Sequence, residues 1–469
     1  MTYVTIRCNY FPYNYDIMER KQFEMENELF VSMPVKKAYF KLALPVVLGM
    51  AVSLVYNLVD TWFIAGTQNT ALVAGVSLCA PVFTLMVAFG DIFGLGGSTA
   101  ISRLLGQKRN RDAAGVSVFS IYAAILLGIA VAALMLIFRL PLLHLLGARE
   151  DTIAYASSYY IWLALGAPAI ILNIVPGNLL RTEGLAKEAM FCTVIGALIN
   201  IVLDPIFIFA LGFGAGGAAA ATVLSNVISD ILLFSTIYHK AKFLSIHLRD
   251  FVVSSAVLRD ILFIGIPASI TNLMQSLAIL LTNRFLLPYG TGQVAAYGIA
   301  MKVNMVCILI LVGFAFGAQP LLGYNFGAGN RARLKEIIRF DIMIQIITAS
   351  FFALISLFFA PLLIRLFMQD PAVVTAGAQI LRCVMLSAPA VGIILVCTTL
   401  FQAEGKSLPA LILAISRQGV VLVLCLVVMS HSFGYIGVLL SQALSDLITL
   451  GIALLFLRAG SKPESSEPV

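Results

Sequence analysis

Asn200 and Asp204 stand four residues apart in Gly196-Ala-Leu-Ile-Asn200-Ile-Val-Leu-Asp204-Pro205-Ile-Phe, a segment that is otherwise apolar and of membrane-spanning character. On a helix this spacing puts the amide and the carboxylate on one face, about a turn apart, where together they could hold a proton or a small cation. A carboxylate in lipid is costly, so the alternative to ion handling is a structural tie to a neighbouring helix. Pro205 supplies no N–H to the carbonyl of Ile201, so the helix is expected to loosen beside the acid and hinge there. A second acid, Asp60, lies in Tyr56-Asn57-Leu-Val-Asp60-Thr-Trp62, late in the first apolar segment. If both segments run outward, the two acids sit at similar depth and can face one another.

The elements that must position them follow from composition. With 469 residues, 60% hydrophobic and only 11% charged, the chain is read as an all-α polytopic membrane protein and not as a soluble enzyme. A spanning helix takes roughly 20 apolar residues, and twelve such segments are predicted near 39–63, 71–101, 113–138, 152–177, 187–211, 215–238, 258–287, 292–322, 335–360, 372–401, 406–430 and 434–457. Net charge is +7, but in such a chain the placement of the charge matters more than its sum. Lys36, Lys37 and Lys41 precede helix 1; Arg103, Lys108, Arg109 and Arg111 end helix 2; Lys240, Lys242, Arg249 and Arg259 join helices 6 and 7; Arg331, Arg333, Lys335 and Arg339 follow helix 8. The opposite connections carry only Arg139, Arg149 and Arg365, so both termini are expected in the cytoplasm. Nucleic acid is not an expected partner; membrane lipid is.

Residues 1–38 carry no apolar signal-peptide core and read as a cytoplasmic tail, of which 1–24 could be an extension ahead of a natural start at Met25. The seven cysteines show no C-x-x-C and the four histidines no metal-ligand spacing, so disulfides and metal centres are not expected. Helix 2 carries Asp91 in Phe89-Gly-Asp91-Ile-Phe-Gly94-Leu-Gly96-Gly97-Ser, a small-residue surface for close helix packing. No strand precedes those glycines and no Lys-Ser/Thr follows, which argues against a nucleotide loop. Asp91 is expected in the inner half, where an arginine ending helix 2 can pair with it.

The halves repeat. Gly75, Gly90, Gly94 and Gly106 match Gly298, Gly313, Gly317 and Gly329 at a constant offset. Pro45 falls near Pro267, and Glu183-Gly184 matches Glu404-Gly405, as Phe213-Gly214 with Gly217 matches Phe433-Gly434 with Gly437. Six spans per half give both halves one orientation, related by a pseudo-two-fold axis along the membrane normal, as in alternating-access carriers. The expected organisation is an N-lobe over 39–238, a cytoplasmic connection over 239–258, a C-lobe over 259–457 and a tail over 458–469. Charge is asymmetric: Asn283 stands opposite Asp60, a position near Cys425 stands opposite Asp204, and Asp446 reads as the sole acid well inside a C-lobe span.

Four motifs carry a family resemblance: Tyr56-Asn57-Leu-Val-Asp60-Thr, Asn178-Leu-Leu-Arg181-Thr-Glu183-Gly184, Asn200-x3-Asp204-Pro205, and Gln319-Pro320-Leu-Leu-Gly323-Tyr324-Asn325-Phe-Gly327-Ala-Gly329-Asn330. The chain resembles the multidrug and toxic compound extrusion family over about residues 25–457, in its DinF-like branch and close to the MepA type. The resemblance implies a twelve-helix, V-shaped exporter of the plasma membrane, here a bacterial inner membrane, in which inward proton or sodium flux expels amphipathic, mostly cationic drugs. It implies Asp60, Asn200 and Asp204 as the N-lobe ion site, with Thr222 beside them; these are also the only residues expected to take Na+, and no cofactor is implied. Some members place a Glu and an Asp in the C-lobe, and their lack in helices 7, 8 and 10 here argues against a second cation site. Asn57, Asn173, Asn178, Gln275, Asn283 and Asn304 are candidates for lining a substrate cavity, while Asp91 and Asp446 are secondary acids. Lys302, Arg284, Arg382 and Arg417 lie in or near C-lobe spans, where snorkelling or pairing with Asp446 accounts for them. A monomer is expected. The rival reading is a lipid-linked oligosaccharide flippase of the same general fold, for which the membrane arginines are few and scattered.

Overall fold

The computed structural model describes residues 28–251 and 254–460; the extension expected over 1–24 lies outside them, as does most of the C-terminal tail. A short π-helical turn, Glu28–Ser32, leads into α1 (Val35–Gly66), α2 (Thr70–Gly106), α3 (Asn110–Ile137), α4 (Ile153–Thr182), α5 (Ala186–Pro205) and α6 (Gly214–Lys240). The second half comprises α7 (Ser255–Leu286), α8 (Thr291–Gly327), α9 (Arg331–Arg365) and α10, which bends by 45° between Pro371–Met385 and Ala388–Ala403. Helical residues then run on from Ser407 to Gly460, too long for one span, and break at Gly434 (φ 57°, ψ −131°). We call residues 407–433 α11 and residues 435–460 α12. The carbonyl of Met429 lies 1.9 Å from where a Cβ on Gly437 would stand, so the chain turns back on itself here and twelve spans result.

The repeated Phe-Gly motif explains this turn and its twin. Gly214, the first residue of α6, has φ 51° and Gly434 has φ 57°, both in the left-handed region that glycine occupies without strain. Three residues later, Gly217 lets the carbonyl of Phe207 approach to 2.5 Å from a would-be Cβ, as Gly437 does for Met429. Gly437→Ala should therefore open the α11–α12 hairpin and cost about 1–3 kcal/mol as an overpacking change, read as a lower melting temperature of purified protein.

Each half packs as a six-helix lobe. In the first, α4 is central against α2, α3 and α6, while α1 lies on α5; in the second, α8 and α9 pack on both parts of α10. The first core centres on Tyr160, Leu163, Ile171 and Leu179, the second on Leu311, Ile364, Ile380 and Leu422. The lobes meet through α2 on α7 and α1 on α8. A Cβ on Gly265 would stand 1.9 Å from the carbonyl oxygen of Ile92, one on Gly317 2.3 Å from Ala43 Cα, and one on Gly106 2.1 Å from the carbonyl oxygen of Tyr324. Backbones touch there because glycine removes the side chain. The inter-lobe hydrogen bonds lie in the same half of the bundle, toward the end that carries both described termini: Tyr39 to Asp341 at 2.8 Å, Arg103 to Asp260 at 3.2 Å and Asn272 to Asp91 at 2.8 Å. Nearer the opposite end, no hydrogen bond joins the lobes among the described residues.

The matched glycines of α2 and α8 do different jobs. Gly90 and Gly94 pack inside their own lobe on Ile174 of α4, whereas Gly313 and Gly317 pack across the interface on Val47 and Ala43 of α1. The matched glutamates differ too. Glu183 accepts the backbone N–H groups of Lys242, Phe243 and Leu244 at 2.8, 2.8 and 2.6 Å, pinning the connection between lobes to the end of α4, while Glu404 pairs with Lys406 at 2.7 Å. Hydrogen bonds to a charged acceptor contribute about 1.5–3 kcal/mol each. Glu183→Ala is expected to lower the melting temperature, and Glu183→Gln by less, since an amide oxygen still accepts.

Candidate functional site

The acids of α1 and α5 come together. Asp60 and Asp204 are close enough for one protonated carboxyl to donate to the other. Asp204 is fully buried, and Asp60 is half-buried near the far end of α1. With its amide nitrogen turned toward the acid, Asn200 donates to Asp204 Oδ2 at 3.0 Å and accepts from the Thr222 N–H at 3.1 Å. The i, i+4 spacing does this locally; the packing of α6 on α5 brings Thr222 in. One oxygen of each acid, Asp60 Oδ1 and Asp204 Oδ1, is buried with no hydrogen-bond partner, and no lysine, arginine or histidine pairs with either among the described residues. Pro205 ends α5, and the chain passes at once into a π-helical turn, Ile206–Ala210. Here i→i+5 geometry replaces regular α-helix, as expected where a ladder bond is lost.

Sequence reasoning missed two neighbours. The Tyr56 hydroxyl lies beside Thr222, with both acids nearby, and Tyr159 of α4 faces the same acids. Tyr56 was legible, one turn before Asp60; Tyr159 carries no local signal. The set is rich in oxygen donors, suited to a proton or to a hard cation such as Na+.

The amide candidates divide. Asn173 and Asn178 line a cavity of about 410 Å³ between the lobes, with Asp91, Arg181 and Asn272. There Asn173 donates to Asp230 Oδ1 at 2.9 Å, and Asn178 accepts from Arg181 at 3.0 Å. Gln275 and Asn304 line a second cavity, of about 310 Å³, inside the C-lobe. Asn57 and Asn283 line neither: Asn57 donates to the Ser53 carbonyl of its own helix at 2.7 Å, and Asn283 Oδ1 is buried without a partner.

Two expectations about acids are corrected. Asp91 does not pair with the arginine ending α2. Arg103 reaches across to Asp260 instead, and Asp91 is held by Asn272 of the other lobe with Arg181 nearby. Nor is Asp446 the sole acid inside a C-lobe span: Asp341, ten residues into α9, is wholly buried and accepts from Tyr39. It lay near the predicted start of helix 9, where a carboxylate reads as a solvated end. Asp446 accepts from Arg417 at 3.1 Å, Ser387 at 2.7 Å and Gln442 at 3.2 Å. Removing one member of a buried ion pair costs about 3–5 kcal/mol, because the other is left uncompensated. Arg417→Met alone should therefore destabilise the protein more than Arg417→Met combined with Asp446→Leu, by thermal unfolding in detergent.

Comparisons with known proteins agree with this architecture. The MatE family model matches residues 45–206 and 267–427, one stretch in each lobe. The chain is 32% identical over 425 residues to the multidrug export protein MepA of Staphylococcus haemolyticus, covering 91% of this chain and 94% of that protein. It is 33% identical over 427 residues to MepA of Staphylococcus aureus strain MRSA252, with the same coverage. Among solved structures, a MATE in the straight conformation superposes with a TM-score of 0.88 at 30% identity, covering 93% of this chain and 97% of that one. An outward-facing multidrug resistance MATE family transporter of the MOP superfamily superposes with a TM-score of 0.87, again at 30% identity with coverage of 93% and 97%. A match in both lobes, together with twelve spans in two six-helix units, makes this chain a member of the MatE family, the multidrug and toxic compound extrusion transporters.

Proposed function

We propose that the chain is a secondary active multidrug exporter that expels amphipathic, mostly cationic compounds by antiport with H+, or with Na+, through alternating access. The observation that carries this is the pair of neighbouring carboxyls from α1 and α5, each with a buried unpartnered oxygen and no basic side chain against it. Two such acids cannot both ionise cheaply, so they share a proton or a cation. A structural tie would have satisfied those oxygens instead. The relatives' description as multidrug export proteins supports the substrate class.

The lobes are held together at the end carrying the termini. If that end is cytoplasmic, as the loop charges indicate, this is the outward-open state. Protonation removes charge and acceptors beside Pro205, where the π-helical turn lets α5 bend; drug is released outward, and drug entering from inside favours the deprotonated pair. One proton moving inward gains about 2.3 kcal/mol per 100 mV and about 1.4 kcal/mol per pH unit. One-for-one exchange with a monovalent cation cancels the electrical part, so steep export needs a pH difference or more than one ion per cycle. The flippase reading gains nothing from the inter-lobe cavity, where Arg181 is balanced by Asp91.

The test is ethidium efflux from proteoliposomes with a pH gradient and a sodium gradient imposed separately. Efflux driven by either gradient supports antiport; no response to either contradicts it.

A further inference from the structure

Asp341 is a buried carboxyl that the export mechanism does not use. It stands ten residues into α9, roughly 15 Å along the helix, and it is wholly covered because α1 of the other lobe lies over it. Tyr39 of α1 donates to its Oδ1 at 2.8 Å, and the rings of Phe314 and Phe340 pack on Tyr39 with centroids 6.2 and 5.1 Å away. Oδ2 is buried with no hydrogen-bond partner. One turn further along α9, Gln345 is equally buried. Its Nε2 donates to the Leu311 carbonyl at 2.8 Å, which fixes which way the amide points, and its Oε1 also has no partner. Gly392 of α10 closes on the Gln345 Cβ from the other side, so the amide has no room to turn away.

Two buried acceptors, four residues apart on one helix face, lack a single donor between them. A proton on Asp341 Oδ2 supplies it: the carboxyl O–H donates to Gln345 Oε1 while Oδ1 goes on accepting from Tyr39. The same proton removes a charge that nothing else balances. The titratable groups facing Asp341 are Tyr39 from α1 and Cys397 from the second part of α10, a phenol and a thiol, neither of them a counter-charge. From α8 there is none, and no lysine, arginine or histidine stands against the acid among the described residues. An uncompensated carboxylate in such a place is far costlier than a neutral carboxyl. Sodium fits poorly, since it would find two free oxygens where hard cations collect about six.

We propose that Asp341 is a second proton-binding site of this transporter, separate from the Asp60–Asp204 pair: its carboxylate takes up a proton when the lobes close at the end carrying the termini and gives it back to water on that side when they part. The geometry dictates the linkage. Tyr39 belongs to the opposite lobe, so separation of the lobes withdraws it with α1 and uncovers the carboxyl, which can then ionise in water. The proton returns to the side it came from, so it performs no transport work. It makes closure of this end depend on the pH there, with acid favouring the closed state. If the termini are cytoplasmic, protons accumulating inside hold the inner end shut and slow an exporter whose driving ion enters on that side.

The test is a spin-label distance measurement on purified protein in nanodiscs, in sodium-free buffer without drug, with labels at Gln68→Cys and Gly292→Cys near the far ends of the two lobes. The parent protein for it carries Asp60→Asn and Asp204→Asn, so that the N-lobe pair cannot titrate. The ratio of molecules closed at the terminal end to molecules open there is expected to fall as pH rises from about 5 to about 9, with a steepest slope of about tenfold per pH unit, the limit for one proton. Adding Asp341→Asn should abolish the slope and keep the closed state at every pH, because the amide still accepts from Tyr39 and its NH2 donates to Gln345 as the protonated acid does. Adding Tyr39→Phe should keep the slope, which assigns the proton to the carboxyl and not to the phenol. A flat ratio in the parent protein, a slope that survives Asp341→Asn, or a slope lost in Tyr39→Phe would overturn the proposal. Neither drug nor gradient enters this measurement and the N-lobe pair is disabled in it, so its failure is distinct from a failure of ion-driven export.

Discussion

Asp204→Asn is expected to reduce gradient-driven ethidium efflux from proteoliposomes to the level of protein-free vesicles. The substitution keeps the shape of a side chain that is fully buried, and Asn200 can still bond to it. What it removes is the group that can gain and lose charge next to Asp60. A carrier couples two ligands only if each changes the other's affinity by the same factor; without a titrating or cation-binding pair, the gradient has nothing to act on. Ethidium binding should persist, because Asp204 does not line the inter-lobe cavity. The sign of the pH dependence follows. Drug and proton favour opposite states, so drug affinity in the wild type rises with pH as the pair loses its proton and levels off once it is gone; in Asp204→Asn this pH dependence should be largely lost. Efflux retained at the wild-type rate would move the coupling site to Asp91, Asp341 or Asp446.

Gly265→Val should be the most disruptive single change at the lobe interface. A Cβ there would sit 1.9 Å from the Ile92 carbonyl oxygen and 2.6 Å from its carbon, and backbone cannot swing aside as a flexible side chain can. If α2 and α7 are wedged apart, the contacts that close the terminal end weaken together, because Arg103–Asp260 and Asn272–Asp91 join the same two helices. An overpacking cost of about 1–3 kcal/mol, borne only by the state closed at this end, shifts the ratio of conformers by about 5–150-fold. Spin labels at Gln68→Cys and Gly292→Cys, near the opposite ends of the two lobes, would report it: the distance distribution should move to shorter values in Gly265→Val, and drug efflux should fall. Unchanged distances with intact efflux would show that the interface is not the closing surface.

Much of this was legible in the sequence where the chemistry is local. The Asn200–Asp204 spacing and Pro205 act within one helix, so their shared face and the loosened turn follow from periodicity and a missing N–H. Asp60 could be matched to Asp204 by depth alone, since membrane spans share an axis and lateral packing only had to bring α1 onto α5. Where partners come from lateral packing without such a constraint, the sequence was silent. Nothing in Ser-Ser-Tyr159-Tyr160 says which tyrosine faces the acids, and Arg103, expected near Asp91, meets Asp260 of the other lobe, while Arg181 of α4 is the arginine near Asp91. The glycine repeat was visible, but its use was not: identical positions in α2 and α8 face different lobes, since the halves contact each other on one side only.

The most direct test of the central claim, that drug and coupling ion compete for the protein through the Asp60–Asp204 pair, is to add ethidium to concentrated, weakly buffered protein and follow free protons with a pH indicator and free Na+ with an ion-selective electrode. The account predicts release of protons, or displacement of Na+, in proportion to drug bound, and none from a variant carrying Asp60→Asn and Asp204→Asn. Saturable drug binding to the wild type with neither ion released would contradict it.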